Sequence, residues 1–432
     1  MSEIASAELA AVAAALRDVT EDVGRRLAEP GNEPRWSELE WRIAEAVCGL
    51  HGVAALLQEG FRGRGPARFR DFLEAQSGHA LARHARIAAL LGALDREACA
   101  AGVPLVALKG AALYARGLYG PGLRPMGDID LLVRESQRPA LEPVLAACGY
   151  EAAYSSRRHD VFHPLGGPQT CTHRLGEHID NPIKIEIHTR ISEPLPVTKV
   201  DITALVMPVD AQPGINGYPS GAALLGHLAL HAAGNMRARA LRLVQLHDIA
   251  LLARTLTPAA WIEALGNGSL GWWALPPLRL TARYYRGVIP ESIEARLAGL
   301  CPPLLRAHSA RARVCDVSWS RLGIQAFPGI EWSRTPAEAC RHMLARMVPS
   351  RVALRELERG AAQIPAAGEV PWYGLSHVSR IVRWIFGRPP RVQTLLSVRA
   401  ALEGLNVLHA RNFGANASSH SQRDDDKCVQ RF

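Results

Sequence analysis

The fold is indicated most clearly by residues 103–134, VPLVALKGAALYARGLYGPGLRPMGDIDLLVR. Asp128-Ile129-Asp130 opens an apolar run that continues to Val133, and a glycine-rich segment precedes it, which predicts a buried strand. Because successive side chains of a strand face opposite ways, Asp128 and Asp130 share one face and Ile129 points into the core. Two neighbouring carboxylates that lose hydration repel each other. A divalent cation relieves this repulsion, and Mg²⁺ commonly binds one or two carboxylates together with substrate phosphates.

A second feature lies upstream of the Asp pair. Residues 104–108 form a short apolar run that ends at Lys109-Gly110, before a segment of helical character. A strand, a glycine and a helix N-terminus together favour anion binding. Only four of the 50 basic residues are lysine, so a lysine beside this glycine indicates a compact ammonium that contacts phosphate.

A third feature is the alternating segment from Ile183 to His188. Its isoleucines fall on one face, and Lys184, Glu186 and His188 fall on the other, which predicts a half-buried strand. If this strand lies beside the Asp strand, Glu186 is a third carboxylate for a two-metal site.

These motifs together resemble a known superfamily. The chain resembles the nucleotidyltransferases of the DNA polymerase β superfamily in three motifs that occur in the same order: LKG, R-x-x-G-D-I-D-L-L-V and I-E-I-H. More narrowly, the chain resembles the bacterial group named only as nucleotidyltransferase family proteins, whose substrates are mostly undefined. The motifs are specific over residues 103–190 and looser over 216–255.

The resemblance implies an α+β fold with a polymerase-β-type palm, flanked by N- and C-terminal helical regions. It implies Asp128 and Asp130 as the metal-binding pair and Glu186 as the third carboxylate. The implied activity moves a nucleoside monophosphate from an NTP, with ATP favoured, to an undefined acceptor. The cofactor is expected to be two Mg²⁺ ions, or Mn²⁺ in their place, and Lys109, Gly110 and Arg124 are expected to contact the nucleotide.

One departure from the family pattern leaves a second hypothesis open. The superfamily usually carries a Gly-Ser or Gly-Gly pair shortly before the Asp pair, whereas here Ala111 follows Gly110, which lies 18 positions before Asp128. This difference favours a catalytically degenerate fold that acts as a nucleotide-binding or protein-interaction module. The three carboxylates favour the enzyme.

Composition limits the other classes of protein. The chain has 432 residues, room for two or three domains, with 48% apolar and 21% charged residues, as in ordinary globular proteins. The N-terminus lacks a basic signal-peptide region, and no apolar run is long enough to span a membrane. Eight scattered cysteines without a CxxC pair indicate neither a zinc ribbon nor a disulfide framework, so a cytoplasmic protein is expected.

The net charge of +9 makes nucleic acid a partner to consider, but the less favoured one. Basic residues are spread along the chain, and the dense cluster Arg237, Arg239 and Arg242 is expected to be a short helical face. No basic surface interleaved with aromatic residues accompanies it.

Pattern breaks divide the chain into four segments. Residues 1–100 are predicted to be helical, with helices at 5–28, 37–59 and 68–100, and residues 101–215 form the nucleotidyltransferase core. That core is expected to contain one strand near 150–162. A Pro- and Gly-rich linker at 208–221 leads into a C-terminal helical domain, residues 216–412, and residues 413–432 are expected to be a disordered tail.

Several histidines and one cysteine outside the central motif are candidate metal ligands. Residues 163–182 form a long loop with His163, Cys171, His173 and His178, whose spacing fits no zinc pattern, so the loop is expected to border the acceptor pocket. His227 and His231 stand four residues apart but lack the glutamate of a zincin motif, which favours a structural or substrate-wall role.

Overall fold

The chain folds into an α+β structure in which helices surround one mixed β-sheet. The computed structural model describes residues 3–155, 159–166, 176–318, 320, 327–350 and 377–386. The predicted tail at 413–432 lies outside these residues. Within them, no helix has the length and apolar character needed to cross a membrane.

Helices precede the sheet, as the helical spacing predicted. They are α1 (Glu3–Ala28), α2 (Glu38–His51), α3 (Ala54–Leu57) and α4 (Ala67–Ala100). The predicted helix over 37–59 is divided because Gly52 adopts a left-handed conformation, with φ at 67°, which ends α2. Ser37 caps the start of α2 in a capping box with Glu40, so both ends of this helix are determined by local sequence.

The central segment contains eight described strands and three helices. They are β1 (Pro104–Ala107), α5 (Lys109–Ala115), β2 (Asp128–Leu132), α6 (Arg138–Ala147), β3 (Tyr150–Ser155), β4 (Asp160–Pro164), β5 (Lys184–His188), β6 (Ser192–Leu195), β7 (Thr198–Asp201), α7 (Thr203–Val206) and β8 (Gly214–Asn216). The remaining described helices are α8 (Gly221–Ala238), α9 (Leu243–Thr255), α10 (Pro258–Gly266), α11 (Leu275–Tyr284), α12 (Glu291–Leu300), α13 (Pro303–Arg311), α14 (Val314–Val317), α15 (Pro336–Met347) and α16 (His377–Phe386).

Six strands form the main sheet in the order β3-β4-β5-β2-β1-β8. The central pair, β2 and β5, is parallel, and so is the edge pair β1 and β8. The other neighbouring pairs are antiparallel. Strands β6 and β7 form a separate antiparallel pair.

The two faces of the main sheet have different environments. Leu105, Ile129 and Ile185 belong to an apolar cluster that also includes residues of α4 and α6. Val106 and Leu132, on the opposite face, belong to a larger cluster that contains residues of α1, α2, α8 and α9. Asp128, Asp130 and Glu186 also lie on this second face, because side chains alternate along a strand. The polar group therefore lies between the sheet and the helices that cover this face.

Two sequence predictions about this segment are corrected. Residues 150–162 form parts of two strands, β3 and β4, rather than one. Residues 208–221 are more than a linker, since they include β8, which pairs with β1 and extends the sheet at its edge. Gly214 has φ at 98°, a conformation that glycine adopts without steric cost, so the glycine that suggested a linker also permits this strand to begin.

Candidate functional site

The register of β2 and β5 brings the three predicted carboxylates onto one face of the sheet. Asp130 lies opposite Glu186, and Asp128, two residues earlier on β2, lies opposite Lys184. Asp130 is 5% exposed. The hypothesis that Glu186 is a third carboxylate of the site depended on its strand lying beside the Asp strand, and β5 does pair with β2.

Burial and mutual repulsion act together on these carboxyl groups. Burial raises the pKa of Asp128, and the negative charge of Asp130 raises it further. Burial, with the charges of Asp128 and Asp130, raises the pKa of Glu186 to about 8. Ionising all three carboxyl groups together is therefore unfavourable in the protein alone, and a bound cation would favour their charged forms.

Asp130 contacts a lysine and a histidine side chain, which offset the cost of burying its negative charge. Its Oδ1 accepts a hydrogen bond from Lys109 Nζ at 2.6 Å and lies 2.9 Å from His188 Nε2. Burial alone would raise the pKa of Asp130, but Lys109 and His188 outweigh burial and hold this pKa well below its ordinary value. Asp130 is thus a carboxylate in the folded protein.

Lys109 is placed at the site by an uncommon backbone conformation. Its φ is 46°, in the left-handed region that non-glycine residues rarely adopt, at the junction of β1 and α5. Such conformations cost on the order of 1–3 kcal/mol and persist where surrounding contacts hold them. The ion pair with Asp130 is such a contact, and it makes Lys109 part of the carboxylate group, as the sequence indicated.

Gly110 and Arg124 pack against each other beside the carboxylates. A Cβ at residue 110 would overlap Arg124 Nη1 and would lie 2.6 Å from Met126 Sδ, so this position requires glycine for close approach. Arg124 donates from Nε and Nη2 to the two oxygens of Asp248, each at 2.8 Å. Its guanidinium is thus fixed against α9, although its charge still lowers the pKa of Asp128.

Arg242 lies near the carboxylates and was missed as a site residue. Its positive charge lowers the pKa of Asp128, which places it close to that carboxyl group. The prediction that Arg237, Arg239 and Arg242 form one helical face is wrong. They span the turn between α8 and α9, where Arg239 is buried and paired with Glu331 at 2.9 Å. The cluster therefore offers no continuous basic surface for nucleic acid.

Two histidines add nitrogen donors on the Glu186 side of the site. His188 Nε2 is 3.9 Å from Glu186 Oε2, and the Nε2 atom of His159, the residue immediately before β4, is 3.6 Å from the same oxygen. His188 shares the face of Glu186 by strand alternation, a signal that was visible in the sequence. His159 comes from another strand, so only the β4–β5 pairing reveals it.

A cleft of about 500 Å³ opens beside these groups. Its lining includes Lys109, Glu186 and His188 from the site, Arg190 and Lys199 from the following segment, and His227 and His231 from α8. His227 is 4% exposed, its Nδ1 lies 2.6 Å from Tyr218 Oη, and burial lowers its pKa to about 3. Both α8 histidines thus lie in the cleft wall, and the contact of His227 with Tyr218 is consistent with a structural role as well as with a substrate-wall role.

The predicted loop over 163–182 begins later than expected, because His163 and Pro164 belong to β4, and its described part at 176–182 is held against α4. Gln76 exchanges two hydrogen bonds with the backbone of Glu177, and Arg83 pairs with the Glu177 carboxylate at 2.7 Å. The charge of Asp128 raises the pKa of Glu177, after the larger effect of burial, so this part of the loop approaches the carboxylates. Cys171 and His173 lie outside the described residues.

Comparison with known proteins gives one result. The model of a family described as "Uncharacterised nucleotidyltransferase" matches residues 37–284, more than half of the chain, and this match shows the family. The matched residues include the carboxylates and all the side chains described around them. No curated protein matches, and no solved structure matches.

Proposed function

We propose that this chain, which belongs to a family of uncharacterised nucleotidyltransferases, transfers a nucleoside monophosphate from an NTP to an acceptor hydroxyl or phosphate. In this reaction a bond forms between the acceptor oxygen and the α-phosphorus, and pyrophosphate leaves in line. The carrying observation is the β2–β5 register, which pairs Asp130 with Glu186 on the face that also holds Asp128. We further propose that the mixed sheet is a polymerase-β-type palm.

The donor set fits the divalent cations that such chemistry uses. Asp128, Asp130 and Glu186 supply carboxylate oxygens, the ligands that Mg²⁺ prefers and that Mn²⁺ also accepts. The raised pKa values of Asp128 and Glu186, caused first by burial and then by the neighbouring carboxylates, indicate a deficit of positive charge. When bound, a pair of Mg²⁺ ions would orient the triphosphate and neutralise the charge that develops during transfer.

The side chains around the carboxylates supply the remaining functions. Lys109 presents an ammonium beside Asp130, from where it would contact a phosphate, and Gly110 permits the close packing that fixes Arg124. We assign Arg124 to positioning and nucleotide binding through its charge, since its donors already engage Asp248. Glu186 would bind the second ion or accept the proton of the acceptor hydroxyl.

The cleft is the proposed acceptor site. It borders Glu186 and His188 and continues past Arg190 and Lys199 to α8, so an acceptor there would approach the carboxylates from one side. ATP is the favoured donor, and the acceptor is a small molecule or a macromolecule.

Transfer of labelled nucleotide tests this proposal. Purified protein is incubated with α-labelled ATP, Mg²⁺ and cell lysate, and the label is followed into protein, RNA and small-molecule fractions. Asp128→Asn and Asp130→Asn should lower transfer by at least about 100-fold, because a catalytic charge contact is lost. Asp210→Asn, at an exposed position that does not line the cleft, should leave it unchanged. Full transfer by Asp130→Asn, with the fold checked by circular dichroism, would overturn the proposal.

A binding module without catalysis is the second candidate. One observation favours it: Lys109 and His188 both contact Oδ1 of Asp130, so this oxygen has partners without any metal ion. Under this alternative the protein binds an NTP or a partner protein and no lysate fraction acquires label. Binding of NTP without any transfer would favour this candidate.

A further inference from the structure

We propose that His159, Glu186 and His188 form a binding site for one transition-metal ion of the Zn²⁺ or Co²⁺ kind, which adjoins Asp128 and Asp130 and shares Glu186 with the proposed Mg²⁺ site. The site stands on its three side chains and does not require nucleotidyl transfer. One ligand atom from each of these residues lies within 4.8 Å of the others. Within the part of the chain that the structure describes, no other group of three histidine, cysteine, aspartate or glutamate side chains has its ligand atoms this close together.

The strand pairing explains why the three side chains meet. β4 and β5 are antiparallel, and the register pairs Asp160 with Ile187 and Val161 with Glu186. His159, immediately before β4, therefore lies opposite the end of β5, where His188 is located. The two imidazole rings have centroids 5.2 Å apart, and Glu186 Oε2 lies within 3.9 Å of both Nε2 atoms.

The distances are close to those of a bound ion. Zinc lies about 2.0–2.1 Å from histidine nitrogen and carboxylate oxygen in tetrahedral sites, so neighbouring ligand atoms are roughly 3.3 Å apart. The distances from Glu186 Oε2, 3.6 Å to His159 and 3.9 Å to His188, exceed this value by only a few tenths of an ångström. Small side-chain rotations would close the difference.

The ligand types select the ion. Imidazole favours zinc, copper, iron, cobalt and nickel, whereas Mg²⁺ favours oxygen ligands and retains its water. Two histidines and one carboxylate with open positions are also the ligand set of catalytic zinc sites. The set here consists of two imidazoles and one carboxylate, so a transition-metal ion is preferred over Mg²⁺.

The surroundings give an ion access to the three side chains. All three side chains line the 500 Å³ cleft, so an ion would enter from solvent and present its open position to a molecule bound there. Asp130 Oδ1 lies 2.9 Å from the same His188 Nε2, so a bound ion would replace this contact, and Asp130 would keep its ion pair with Lys109. A neutral His188 with its proton on Nδ1 would offer Nε2 to the ion.

Metal titration of the chelator-treated, full-length protein tests the site without nucleotide. The wild type should bind one Co²⁺ with visible absorption of a nitrogen and oxygen site and no thiolate band, and Zn²⁺ should displace it, whereas excess Mg²⁺ should not. His159→Ala and the more conservative His159→Gln should each weaken Zn²⁺ binding by more than about 100-fold, since loss of an outer partner alone costs roughly 10–100-fold.

His231→Ala is the matched control, because His231 lines the same cleft outside the three-residue group. It should bind Zn²⁺ with wild-type affinity. Equal Zn²⁺ affinity of the wild type and both His159 variants would overturn the inference, as would equal loss in His231→Ala. Because the titration contains no nucleotide, its failure would leave nucleotidyl transfer to be judged from the labelling experiment.

Discussion

At Asp130, one carboxylate oxygen accepts hydrogen bonds from an ammonium and an imidazole, while the neighbouring Asp128 depends on more distant positive charges. The two aspartates are therefore unequal in the protein, with the pKa of Asp130 lowered and that of Asp128 raised. A cation would have to compete with Lys109 for Asp130, whereas at Asp128 it would relieve an unfavourable charge.

Gly110 carries a prediction about packing at this site. Gly110→Ala should destabilise the protein by about 1–3 kcal/mol, the usual cost of overpacking, because the new Cβ would overlap Arg124 and Met126. Arg124 has little freedom to move away, since Asp248 holds both its Nε and its Nη2. The measurement is the free energy of unfolding in urea.

Gly127→Ala is the matched control for this prediction. A Cβ at Gly127 would meet nothing within 4 Å, although this residue immediately precedes Asp128. Its stability should stay within about 1 kcal/mol of the wild type or rise slightly. Equal stabilities of the two variants would show that the close approach at Gly110 is unimportant.

Several residues of the candidate site could be predicted from the sequence alone, because the alternation of side chains along a strand depends only on neighbouring residues. Asp128, Asp130 and Glu186 follow from two short patterns, and the structure aligns them. The contact between Arg124 and Asp248 joins residues 124 positions apart, and a single sequence contains no signal for such a pairing. His159 was missed for the same reason, since it reaches Glu186 through the partner strand.

At the level of elements, the long helix α4 and the strands β1, β2 and β5 were predicted well, whereas β8 was missed. α4 spans Ala67–Ala100, close to the predicted 68–100. β8 has three residues, within a segment whose Pro and Gly content resembles a linker, and it exists because β1 offers an open edge. Tertiary pairing outweighed local propensity there.

His51 joins three elements and predicts a pH effect on stability. Its Nδ1 accepts from the backbone N–H of Leu243 at 3.0 Å, and its Nε2 lies 2.9 Å from Ser320 Oγ, so the neutral ring connects α2, α9 and the segment after α14. Burial, and then the charge of Arg242, lowers the pKa of His51 to about 3. Protonation would place a hydrogen at Nδ1 against the N–H of Leu243.

The sign follows from proton uptake on unfolding. The unfolded histidine, with a pKa near 6.5, binds a proton that the folded one excludes, so the contribution is complete above about pH 6.5 and is lost as pH falls towards 3. His51→Gln should reduce the slope of unfolding free energy against pH between about 4 and 6 by about 1.4 kcal/mol per pH unit. Parallel slopes of variant and wild type in urea unfolding would contradict this.

For the molecule as a whole, one apolar cluster joins segments that the sequence analysis assigned to different domains. It contains Leu16 of α1, Leu132 of β2 and Leu225 of α8. Helical periodicity predicts that each segment has an apolar face, but it does not say which faces meet. The domain limits at 100 and 215 remain predictions. The carboxylates lie on the sheet face that packs against α2, near the start of the family match, and against α8 and α9, in its later part.

The central claim is that Asp128, Asp130 and Glu186 bind a nucleoside triphosphate through divalent cations. Calorimetric titration with ATP, CTP, GTP and UTP, each with and without Mg²⁺, tests it most directly on wild type, Asp130→Asn and Asp210→Asn. We predict that wild type and Asp210→Asn bind at least one triphosphate only with Mg²⁺, and that Asp130→Asn does not. Binding of no triphosphate by the wild type, or equal Mg²⁺-dependent binding by Asp130→Asn, would contradict the claim.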